Sequence, residues 1–345
     1  MLSRSVTIRL GILIAMVSLI YFLPLTGVMA LCAVLAYKIN LGLSYVQRLI
    51  VVGAALIVTN GLLYEIFVIT NLKPSMLFVG AFYLLAAVAS VFKLPNHPPK
   101  SILTATDVAV CMMILVSFIT LMLPLFKHPV GSTLFTRAIH QLSGGEDHAS
   151  HFAMYHYFIQ NNEYSYGEHS KESGLIEGLN NYPQLSDFTL AWGAKSLPSP
   201  ATSSTGRIVI MYYLLTALNF SVLIGFVVLL ALKTLEHQRE KMQIGYLPLL
   251  LAAAFTLLIA GPLLELNGRG FVSQIFALTY LVFALLLVTI GPRIKNDSLF
   301  ALLLILAFSG VAMSWWYLLP VTTSLLFVKV FLSGFSQDPL LPGFL

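Results

Sequence analysis

Residues 208–232, IVIMYYLLTALNFSVLIGFVVLLAL, run for 25 positions without one charged side chain. About 20 such residues, wound as an α-helix, cover the hydrocarbon core of a bilayer. Runs of comparable character recur along the whole chain, and they place about ten spans near 7–23, 25–37, 49–70, 75–92, 102–126, 208–232, 244–265, 271–291, 298–314 and 317–334. The fold class that follows is all-α, a polytopic transmembrane helical bundle with one long outer-face loop containing an amphipathic helix.

Composition agrees. With 58% hydrophobic and 10% charged residues the chain lies outside the range of soluble domains. Its formal charge of +5 comes from Lys and Arg scattered at the ends of apolar runs, with no basic cluster, so the charge reads as topology and nucleic acid is excluded as a partner. Cys32 and Cys111 sit inside apolar stretches as small hydrophobes, and no disulfide is expected. Arg4 and Arg9 before an apolar run resemble a secretory signal, but a second apolar run to Tyr37 follows at once, which favours an uncleaved hairpin.

Lys and Arg prefer the cytoplasmic ends of short loops. With the N-terminus cytoplasmic, that side carries Arg4, Arg9, Lys38, Arg48, Lys93, Lys100, Lys233, Arg239, Lys241, Arg293 and Lys295, while the opposite short loops carry Lys73 and Arg269. The expectation is an integral protein of the cytoplasmic membrane in three parts. Residues 1–126 form the N-terminal helices, 127–207 the outer-face loop with the candidate active site, and 208–345 the C-terminal helices.

The loop gathers His128, His140, His148, His151, His156 and His169, six of the eight histidines, and half of the fourteen acids. A connection of this length is usually functional or disordered. Ser143 and Glu146 fit a capping box, and Phe152, Tyr155, Phe158 and Ile159 recur at helical spacing up to Asn161 and Asn162. The polar stretch 163–181 reads as a flexible connection. Tyr182-Pro183 then opens an apolar segment, Leu185 to Trp192, expected at the membrane interface, and a Ser/Thr/Pro-rich linker leads to the next span.

On the predicted helix Asp147 and His151 stand at i and i+4, and His148 and His151 at i and i+3, so the three share one sector. Such a sector suits a carboxylate base assisted by histidine, or a divalent metal ion held by Asp147 and His151. Glu146 and Asp147 also stand where a cap or the helix dipole favours an acid, and Glu146 is read as the cap.

Asp147-His148, His151, the amphipathic helix, the polar connection and Tyr182-Pro183-Gln184 together resemble the first-loop signature of GT-C integral membrane glycosyltransferases, over about residues 143–192. The resemblance implies a polyprenyl-phosphate-linked sugar donor, a lipid, glycan or protein acceptor, and Asp147 as catalytic base with His148 or His151 assisting. Outside the cytoplasm no nucleotide sugars exist, so a transferase there draws on a membrane-soluble carrier.

Glu265 and Arg269 face the same side, where Arg269 suits a phosphate clamp and Glu265 a second carboxylate; Tyr182 joins them as a substrate-binding candidate. A tight glycine turn with both charges solvated is the plain alternative. Glu65 is a weaker candidate for the same site. Asp107 reads as a helix-start residue within reach of water, and Trp315, Trp316 and Tyr317 as interface anchors. No phosphate-binding loop, dinucleotide fingerprint, H-E-x-x-H or G-x-S-x-G motif occurs. The rival readings are a lipid-carrier glycan enzyme of the O-antigen polymerase or ligase class, and a transporter whose loop captures a metal ion.

Overall fold

The computed structural model describes residues 9, 11–16, 24–70, 76–93, 101–126, 132–161, 184–195, 197, 204–237, 256, 261–294 and 296–335. Every element among them is helical. They are α1 (Pro24–Lys38), α2 (Tyr45–Ile69), α3 (Met76–Val88, continued by a π-turn), α4 (Ala105–Phe126), α5 (Leu134–Ser143) and α6 (His148–Asn161). There follow α7 (Leu185–Lys195), α8 (Thr205–His237), α9 (Pro262–Arg269), α10 (Val272–Ile290), α11 (Asp297–Trp315) and α12 (Leu319–Phe335).

Among the described residues, five stretches are long and apolar enough to cross a membrane: Tyr45–Ile66, Ala105–Phe126, Thr205–Glu236, Val272–Ile290 and Asp297–Phe327. Two shorter apolar helices, Thr26–Lys38 and Phe82–Val91, match the expected runs near 25–37 and 75–92. The expected spans near 7–23 and 244–265 fall largely outside the described residues. Between α11 and α12 the chain leaves helical geometry at Trp315 (φ −161°, ψ 88°), and the exposed Trp316 and Tyr317 follow it.

Side-chain contacts fix how the long helices run. Ser44 and Gln47, at the start of α2, bond Asp107 at the start of α4. Tyr213, early in α8, bonds the Leu121 carbonyl late in α4, so α4 and α8 run in opposite directions. α10 packs heavily on α8 and α11, with Phe226 against Phe283 and Gly310 under the Tyr280 ring. Lys38, Arg48 and Lys233 therefore collect at one end of the bundle. The C-terminal ends of α2 and α4 and the N-terminal ends of α8 and α10 meet at the other.

Many hydroxyls inside the long helices are satisfied within their own backbone, although Ser314 in α11 has no partner among the described residues. Thr59, Ser117, Thr216, Ser221, Thr279 and Thr322 each donate to the carbonyl four residues earlier, at 2.6–2.8 Å. This is how an apolar segment tolerates a hydroxyl without a neighbour.

At the basic end two buried groups tie the chain together. Arg48 donates to the carbonyls of Leu43 and Ala36, joining the end of α1 to the start of α2. Asp107 is fully buried, where the sequence placed it within reach of water. Its carboxylate accepts from the Ser44 hydroxyl (2.8 Å), the Gln47 amide (2.6 Å), and the Thr104 N–H (2.6 Å) and hydroxyl (2.7 Å). Four donors replace water around one buried charge, which is the condition for holding it there.

The connection between α4 and α8 contains three helices. α5 begins at Thr133, whose hydroxyl accepts from the Thr136 N–H, and it packs on α8. α6 begins at His148, and Ser143 belongs to the end of α5, where its hydroxyl bonds the His140 carbonyl. The Ser143–Glu146 capping box is thus not formed, because Gly144 and Gly145 turn the chain between two helices. α7, expected at the membrane interface, is packed among α2, α6, α8, α10 and α11, with Leu185, Phe188, Leu190, Ala191 and Ala194 buried. Tyr182 and the connection 163–181 lie outside the described residues.

Candidate functional site

α6 and α7 meet through one histidine. His151 is fully buried, and its Nδ1 lies 3.0 Å from each oxygen of Asp187, itself fully buried. Its Nε2 lies 3.4 Å from Oδ2 of Asp147, a side chain 24% exposed. The imidazole thus stands between a sequestered carboxylate and one that reaches the surface. Nδ1 donates to Asp187, as the orienting acid of a catalytic triad receives its histidine.

The rest of the surroundings hold these groups in place. The Ser186 hydroxyl bonds Asp187 (3.3 Å) and the Ser273 hydroxyl on α10 (3.0 Å). Lys195 closes the far end of the α6–α7 pair by donating to the Ile159 carbonyl. Asp147 is fixed from its main chain, its N–H donating to the Arg269 carbonyl at 2.9 Å.

His148 turns away from this row. Its Nε2–H donates to the Asn267 carbonyl (3.1 Å), and Nδ1 accepts from the Tyr212 hydroxyl (3.5 Å), with the two rings edge to face. A histidine used that way is neutral. Burial pushes it down to about 4, and the charge on His151 adds to the effect. For His151, burial also disfavours the charge, but Asp187 and Asp147 outweigh it and raise the group to about 9. Burial pushes the Asp187 carboxyl up while His151 pulls it back. The pair titrates as a unit that keeps its proton on His151 through neutral pH.

These opposite shifts predict that the contribution of the two histidines to stability is greatest near pH 6.5, the ordinary histidine value. His151, raised, contributes stability that is full below 6.5 and lost as pH rises towards about 9. His148, lowered, contributes stability that is full above 6.5 and lost as pH falls towards about 4. Thermal unfolding in detergent across that range checks both limbs. His148→Gln is expected to flatten the acid limb while leaving the alkaline one.

Arg269 is at the rim and already engaged. Its guanidinium bonds Glu146 (Nη1, 3.0 Å) and Glu265, all three side chains about half or more exposed. Glu146 is therefore an ion-pair partner and not a helix cap. Arg269 meets a phosphate through its remaining N–H donors or by exchanging a carboxylate. Among the described residues no group of three His, Cys, Asp or Glu side chains is arranged to hold a metal ion. Among those residues Asp147 and His151 supply two donors without a converging third.

The residue that sequence reasoning missed is Asp187. It was visible only as an acid inside an otherwise apolar segment, a costly placement that asks for a partner. The chain matches no family model, no curated protein and no solved structure. Chemistry alone then separates what this arrangement does from what it does not do. Two carboxylates against one imidazolium leave net negative charge. Such a site accepts a proton from a neutral hydroxyl and favours positive charge developing in front of Asp147.

Proposed function

We propose that this chain is an integral membrane glycosyltransferase of GT-C type, with about ten spans, a cytoplasmic N-terminus and the Asp147 end at the outer face of the cytoplasmic membrane. It moves a sugar from a polyprenyl-phosphate-linked donor to a lipid, glycan or protein acceptor. The observation that carries this reading is the buried Asp187–His151 pair ending on one surface-reaching carboxylate, Asp147, at the end of the bundle opposite Lys38, Arg48 and Lys233.

In the transfer step the acceptor oxygen bonds to the sugar's anomeric carbon while the bond from that carbon to the phosphate oxygen breaks. The electron pair leaves with the phosphate, and the acceptor's proton passes to Asp147. Asp187 fixes His151, and the imidazolium anchors Asp147 through Oδ2, so the base meets the acceptor in one orientation. The net negative charge favours the oxocarbenium-like transition state of glycosyl transfer. Glu265 and Arg269 form the rim, where the donor's phosphate competes with Glu146 or Glu265 for the guanidinium.

The test is transfer from a mixture of radiolabelled polyprenyl-phosphate sugars in membranes bearing the protein, with and without a chelator to expose any divalent-ion requirement. Asp147→Asn is expected to lower transfer by at least about 100-fold, the usual worth of a general base, with unchanged size-exclusion behaviour. Wild-type membranes that transfer nothing, or a fully active variant, would sink the reading. A buried Asp–His pair among membrane helices also suits a proton-coupled transporter. That reading predicts pH-driven solute uptake by vesicles without any transfer.

A further inference from the structure

Away from the His151 row, α1, α2, α3 and α7 enclose a cavity of about 190 Å³. Its wall is almost wholly apolar and includes Met29, Gly53, Tyr83, Thr189 and Trp192. Met29 is 63% exposed on the bundle surface, which puts the opening on an apolar flank. Besides the hydroxyls of Tyr83 and Thr189 and the indole of Trp192, the lining carries one amide side chain. Asn60, fifteen residues into the span that begins at Tyr45, is 3% exposed, and its Oδ1 has no hydrogen-bond partner among the described residues.

A carbonyl oxygen buried without a donor is destabilising, and proteins rarely keep one without a use. α2 itself and α8 show the alternative, since the hydroxyls of Thr59 and Ser221 turn back on their own helices. An asparagine placed at a cavity wall in mid-span is not self-satisfied in that way. The missing partner is a donor, and the space around it accepts hydrocarbon.

We infer that this cavity binds a neutral lipid alcohol, an apolar chain carrying one hydroxyl that donates to Asn60 Oδ1. The apolar lining excludes charged headgroups, because no counter-charge stands in the wall. The open flank admits a molecule already dissolved in the bilayer. Thr189 and Trp192 lie two and five residues beyond Asp187 on α7, so an occupant packs against the helix that holds His151. This site is independent of the transferase reading and is tested without measuring transfer.

The chain has three tryptophans, and Trp192 alone lines the cavity. In a Trp315→Phe, Trp316→Phe background reconstituted in vesicles, Trp192 fluorescence is titrated with dibrominated octadecanol and, separately, with dibrominated octadecane. The alcohol is expected to reach half-quenching at about tenfold lower mole fraction than the alkane, the effect of one hydrogen bond to a buried acceptor. Asn60→Leu should bring the two midpoints together. Gly53→Leu puts a side chain into the cavity, where a Cβ meets only Cys32 Sγ at 3.8 Å, and should remove saturable quenching by both. Equal midpoints in the background protein, as expected if water satisfies Asn60, would overturn the inference, as would an undiminished preference in Asn60→Leu. If Asn60→Leu does not fold, retention of saturable alcohol quenching in Gly53→Leu overturns it instead.

Discussion

Asp187→Ala is expected to destabilise the protein by about 3–5 kcal/mol, the cost of stripping one partner from a fully buried ion pair. His151 would keep a carboxylate only on its Nε2 side, at 3.4 Å from Asp147, and its Nδ1–H would face a cavity. The imidazole would then lose its proton at neutral pH, because burial is the largest influence on it and disfavours the charge. Two readouts separate this from loss of packing. The alkaline limb of the stability profile should disappear in Asp187→Ala. Asp187→Asn, which retains shape and a hydrogen-bond acceptor, should fold better than the alanine variant yet leave His151 neutral and transfer impaired. An Asp187→Ala protein that unfolds at the wild-type temperature with both pH limbs intact would show that the pair does not hold α6 to α7.

Gly270→Ala is the second large effect. Gly270 has φ +86°, left-handed geometry that costs a residue with a Cβ roughly 1–2 kcal/mol. An added Cβ would also stand 2.4 Å from the His148 main-chain nitrogen and 2.9 Å from its Cα. Backbone at the first turn of α6 cannot swing aside as a side-chain tip does, so the turn carrying Asp147 must move. A shift of about 1 Å at a reacting group lowers rates by about 100-fold, and transfer by Gly270→Ala is expected to fall to that degree. Gly268→Ala is the matched control, since no atom lies within 4 Å of its added Cβ and its φ is not left-handed. Side-by-side transfer and melting measurements check the pair. Equal behaviour of the two variants would refute the role given to the turn.

The long helices were legible because the signal is local. A run of apolar residues such as 208–232 has one stable answer in lipid, and the span Thr205–Glu236 gives it. α5 was missed although its pattern was present, with Phe135, Ala138 and Leu142 on one face behind a Thr133 cap. The Ser143–Glu146 match misled for a physical reason. A four-residue motif does not say whether its serine opens one helix or closes another, and Gly144-Gly145 favoured the second. In the site, Asp147 and His151 were found by spacing within one turn. Asp187 lies 36 residues from His151 and Glu146 lies 123 from Arg269, distances over which sequence spacing carries no geometry.

The self-bonded hydroxyls of the long helices imply an order of biosynthetic assembly. A span whose Thr and Ser protons already rest on its own carbonyls is complete as it leaves the insertion machinery, and it waits for no neighbour. α7 is different, because Asp187 requires His151 from the preceding helix and Ser186 is bonded to Ser273, which is made 87 residues later. Asp187 therefore meets His151 as soon as α7 follows α6, whereas Ser186 lacks its Ser273 partner until α10 has been inserted. The packing of α7 is then completed only after α10 and α11 are made, and chains arrested before residue 273 should expose it to protease.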